Sequence, residues 1–63
     1  MTRERVPLEW ATTHNNLGVA LARKKDFDAA IAAHQEAIRY DPDDPAAHNN
    51  LGLALKGKGD LDG

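Results

Sequence analysis

The pentapeptide His14-Asn15-Asn16-Leu17-Gly18 returns 34 residues later as His48-Asn49-Asn50-Leu51-Gly52. Laying residues 11–29 over 45–63 adds Ala20/Ala54, Leu21/Leu55, Lys24/Lys58, Asp26/Asp60 and Asp28/Asp62, so 10 of 19 positions are identical. A period of this length is the signature of a stacked helix pair. One such unit cannot bury its apolar face alone and must lean on a neighbour. The period also bounds function, because such stacks present surfaces to partners and rarely carry chemistry.

Local signals divide the chain into three helices. Pro7 suits the first position of helix one, where its missing N–H has no partner to lose. Trp10, Leu17, Ala20 and Leu21 then form one apolar stripe that ends near Lys25. Asp26 is placed to cap helix two, which runs from Phe27 to about Tyr40 with Phe27, Ala30, Ile31, His34, Ala37 and Ile38 as its inner face. Ala29, Ala32 and Ala33 add helix propensity. Asp41-Pro42 stops that helix, and Asp44-Pro45 opens the third. Leu51, Ala54 and Leu55 carry its stripe, with Leu53 to one side, and Gly57 and Gly59 are expected to end it near Lys56. Asp60-Leu61-Asp62 would then copy the start of helix two.

Composition removes several classes of function. A net charge of −2, with Arg23-Lys24-Lys25 as the one basic run, does not make the basic face that nucleic acid requires. No segment approaches the roughly 20 apolar residues of a membrane span. Met1–Arg5 has no apolar core behind it, so a cytoplasmic setting is expected. With no cysteine, neither a disulfide nor a thiolate site can staple so short a chain. His14, His34 and His48 lack the close ligand spacing of a metal site. Neither Thr12 nor Thr13 beside His14 has a third, orienting group for nucleophilic catalysis. Gly57-Lys58-Gly59 is too short for a phosphate loop. No catalytic, metal or cofactor site is therefore expected.

The residues resemble the tetratricopeptide repeat family, whose unit is a 34-residue helix–turn–helix. Residues 11–44 match one full repeat and 45–63 part of a second. Within a single domain over 1–63, residues 7–44 hold the first repeat with an N-terminal helix extension. With Ala11 as position one, Leu17 and Gly18 fall on the family's Leu-Gly at seven and eight. Leu21 takes the large residue at eleven, Phe27 the aromatic place, Ala30 the small residue at twenty, Ala37 the alanine at twenty-seven and Pro42 the proline at thirty-two. Three places depart from the pattern. His14 and His48 stand where tryptophan is frequent, His34 stands at an often aromatic position, and Lys25 stands where glycine is usual.

This resemblance implies an all-α, right-handed solenoid fragment of antiparallel helix pairs that works in protein–protein interaction. It implies that the first helices line a concave face for a protein or extended peptide. That face comprises Thr12, Asn15, Asn16, Val19, Ala22 and Arg23 from repeat one, and Ala46, Asn49, Asn50, Leu53, Lys56 and Gly57 from repeat two. Asn16 and Asn50 are similar to the asparagine ladders lining the superhelix of some members, where amides pair with peptide backbone. The carboxylate clamp of chaperone-binding members is not matched, since Asn15 and Val19 stand where it needs lysine and asparagine. Gly18 is expected to meet Ala30 at the closest helix–helix contact. The partner of Gly52 would fall at position 64, so Leu51, Gly52 and Leu55 form a face for self-association, a dimer being the commonest closed form. The alternative is a piece of a larger enzyme or regulator, in which these repeats recruit substrate.

Overall fold

The structure, a computed structural model, describes residues 5–62. Residues 1–4 and 63 of the expected domain lie outside the described residues. Three helices follow one another: α1 (Arg5–Arg23), α2 (Phe27–Tyr40) and α3 (Pro45–Asp62). Among the described residues there is no strand. Among these residues no helix is long and apolar enough to cross a membrane. The all-α helix-pair architecture expected from the period is the one observed. Helix α1 begins two residues before Pro7, which therefore lies inside its first turn. Proline is harmless there, because none of the first four N–H groups of a helix has an intrahelical partner.

The α1–α2 turn is built by hydrogen bonds at both helix ends. Asp26 N–H bonds to Leu21 O and Lys25 N–H to Ala22 O, each at 2.9 Å. This pattern closes a helix through one left-handed residue, which here is Lys25 at φ 67°. Asp26 then caps α2, its carboxylate accepting from Ala29 N–H at 3.4 Å. At the other end Asp41 N–H returns to Ala37 O, and the Asp44 carboxylate accepts from Ala46 N–H at 3.0 Å to open α3. Both caps stand where the sequence places them.

Contacts between helix ends show the antiparallel pairing. Trp10 near the start of α1 meets Tyr40 at the end of α2 edge-to-face, with ring centroids 5.4 Å apart. Phe27 at the start of α2 meets Gly57 late in α3. Helix α2 thus lies between α1 and α3, which run parallel. The buried apolar core is small and made of alanine: Ala11, Ala30, Ala33, Ala37, Ala47 and Ala54. Small side chains let helix backbones approach closely, so the apolar area buried per residue is low.

Four details differ from the sequence reading. Helix α3 does not end near Lys56 but continues to Asp62, with Gly57 and Gly59 inside it, so Asp60-Leu61-Asp62 opens no new helix. Packing overrides the glycines here. The Phe27 ring fills the space a Cβ at position 57 would need, and Lys58 Nζ pairs with Asp28 Oδ1 at 2.7 Å, holding the extra turn to α2. At Gly18 the side chain facing the missing Cβ is that of His34 rather than Ala30. A Cβ added there would meet the His34 ring at 2.5 Å, because the imidazole projects further than alanine into the gap. Ala33 belongs to the buried face rather than serving propensity alone. Leu17, expected in the core, is 49% exposed, and Leu21, Ile31 and Ile38 are half-buried.

Candidate functional site

The parallel course of α1 and α3, with α2 set behind them, leaves a groove of about 290 Å³. Its α1 wall is Val19, Ala22 and Arg23, and its α3 wall is Asn50, Leu53 and Ala54. Phe27 and His34 from α2 complete the lining. The wall residues follow from helical spacing, since steps of three and four fall on one face of a helix. The groove is mainly apolar, with one cation, Arg23, at the C-terminal end of α1. Arg23 there also complements the helix dipole.

Polar atoms at the groove are organised around Asn15. Its Oδ1 lies 2.9 Å from His34 Nδ1 and accepts from Asn50 Nδ2 at 3.2 Å. One residue from each helix therefore meets at a single oxygen. His34 is 1% exposed, and burial pulls its pKa below the ordinary imidazole value. A charged ring loses hydration there, so the neutral form is favoured.

The other two histidines make structural bonds. His14 Nδ1 lies 2.8 Å from Trp10 O, with its ring tilted on Tyr40 at 5.6 Å. His48 Nε2 lies 2.8 Å from Pro42 O. Among the described residues no group of three His, Cys, Asp or Glu could hold a metal ion.

The concave-face residues named from the sequence divide into three groups. Val19, Arg23, Asn50 and Leu53 line the groove, as does Ala22. Asn15 lies next to it and organises Asn50. Thr12, Asn16, Ala46, Asn49 and Lys56 are exposed and outside the lining, and Gly57 lies outside it against the Phe27 ring. Asn16 and Asn50 are thus differently placed although they are repeat equivalents.

The sequence reading did not assign Phe27, His34 or Ala54 to the groove. Their signal was present, since all three lie on apolar stripes, but stripe position alone does not show that a core residue borders a cleft. On the far side of α3, Leu51 is half-buried, Leu55 is 51% exposed and Gly52 has nothing within 4 Å of an added Cβ. A family model described as TPR repeat matches residues 21–59, more than half of the chain. No curated protein and no solved structure matches it.

Proposed function

Since the chain belongs to the tetratricopeptide repeat family, whose repeats generally mediate protein–protein interaction, we propose that it is a binding module whose groove between α1 and α3 holds an extended peptide. The groove carries this reading: an apolar trough that also holds one amide, Asn50, and a single cation, Arg23. Val19, Leu53 and Phe27 take one apolar side chain of the peptide. Asn50, with Asn16 further out on α1, pairs with its backbone. Thr12, Asn49 and Lys56 flank the path. The chain acts by binding rather than catalysis, and the cytoplasmic setting expected from the sequence belongs to the same reading.

Selection from a random displayed-peptide library, followed by affinity measurement, tests it. Enriched peptides should share an apolar anchor and bind with weak salt dependence, because Arg23 is the one charged lining residue. Leu53→Asp should weaken them at least tenfold with unchanged helical content. Absence of enrichment, or equal binding by the variant, would refute the reading.

A second reading, self-association, rests on one observation. On α1 the face around Gly18 is covered by His34 of α2, whereas its repeat equivalent around Gly52 is open. Leu51, Gly52 and Leu55 would join two copies in a dimer. Sedimentation at several concentrations tests this. A rise in mass with concentration that Leu55→Glu abolishes supports the dimer, and a constant monomer mass rejects it.

A further inference from the structure

His34 is the one large side chain that the described core buries completely. It begins a chain of three planar groups that ends in the groove. His34 Nδ1 lies 2.9 Å from Asn15 Oδ1, and the same oxygen lies 3.2 Å from Asn50 Nδ2. Taken singly, the imidazole can carry its proton on either nitrogen, and each amide can turn either end inward. Linked, they have two consistent settings. With the proton on Nδ1, Asn15 turns its oxygen to the ring, and that oxygen also takes an N–H from Asn50. With Nδ1 bare, Asn15 turns its NH2 inward, and a neighbouring amide must answer with oxygen. Which end of Asn50 faces the groove therefore depends on which nitrogen of a buried ring is protonated.

The orientation of the Asn15 amide selects the first setting. The Gly18 gap lies over the face of the ring, with Cε1 and Nε2 each 2.5 Å from where a Cβ would be, so it favours neither nitrogen. Asn15 turns one oxygen to both His34 Nδ1 and Asn50 Nδ2. An amide oxygen only accepts, and a bare Nδ1 would set acceptor against acceptor at 2.9 Å. The Nδ1–H form instead donates directly to Asn15.

We propose that His34 is a positioning residue of the groove: through Asn15 it holds Asn50 by its Nδ2, so that Asn50 presents its carbonyl oxygen as an acceptor for a backbone N–H of the ligand. This rests on reading the groove as a peptide site. It adds a polarity to that site, with the N–H of an extended chain read at Asn50. It also gives His34, which stands at an often aromatic position, a role that an aromatic hydrocarbon could not fill.

The test is nuclear magnetic resonance on the full chain. Ring nitrogen shifts of His34 at neutral pH should show Nδ1 protonated and Nε2 bare, and the reverse assignment overturns the proposal without touching the peptide reading. His34→Asn keeps a donor near the Nδ1 position, while His34→Phe keeps bulk and loses the donor. The Asn50 side-chain N–H resonances should stay in place in the first variant and shift or exchange faster in the second. Unaltered resonances in His34→Phe would also overturn it. Should that variant fail to fold, the ring shifts of the unsubstituted chain decide alone.

N-methylacetamide, a peptide-bond mimic with one N–H, should then perturb the Asn50 carbonyl carbon. N,N-dimethylacetamide, which has no N–H, should leave it unmoved. An equal response to both removes the acceptor role.

Discussion

At the scale of single residues, His34 and Gly18 decide most. The ring lies where a Cβ on Gly18 would stand, and it is held by Asn15, so it has little freedom to move aside. Gly18→Ala should therefore destabilise the chain by about 1–3 kcal/mol despite the better helix propensity of alanine. A urea melt followed by circular dichroism measures this, and an unchanged midpoint would contradict the packing described.

The same ring makes stability depend on pH. Burial lowers its pKa from the ordinary 6.5, so between the two values the unfolded chain binds more protons than the folded one. The contribution is complete above pH 6.5 and is lost as pH falls through the folded value. Unfolding at pH 7.5 and pH 5 should show a lower midpoint in acid, and the difference should shrink in His34→Asn.

Among the elements, α3 is the one whose sequence and structure disagree. Its C-terminal part holds Gly57 and Gly59 and then Asp60 and Asp62, with no basic residue in the last turn to answer the helix dipole. A Cβ at Gly59 would meet nothing within 4 Å, and no glycine of the described chain has positive φ. Gly59→Ala should therefore stabilise by up to about 1 kcal/mol through helix propensity. A lower melting temperature would mean that residue 59 belongs to a turn, as its repeat equivalent Lys25 does.

The contrast shows what sequence alone can resolve. Helix α2 was legible because its limits are local: Asp26 at one end and Asp41-Pro42 at the other. The end of α3 was not, because it is set by Phe27 over Gly57 and Asp28 on Lys58, partners about thirty positions away. The groove was half legible for the same reason. Its two walls follow from helical spacing within α1 and α3. Its share of α2, Phe27 and His34, depends on how three helices are set against one another.

For the whole molecule, the internal repeat accounts for both architecture and surface. Two copies of one helical motif, held parallel by an intervening helix, must leave a trough between them. The motif places Val19 and Leu53, which are repeat equivalents, on opposite walls of it. A core of alanines brings the helices close and leaves the larger apolar side chains partly outside: Leu17, Leu53, Leu55 and Leu61 are each about half exposed or more. Such surface is available to partners, and the groove and the Gly52 face compete as its principal use.

Chemical-shift mapping with a library-selected peptide separates the two most directly. The account predicts that the peptide perturbs Val19, Ala22, Arg23, Phe27, Asn50, Leu53 and Ala54 as a contiguous set. Perturbation centred instead on Leu51, Gly52 and Leu55, or spread without focus over the chain, would contradict it.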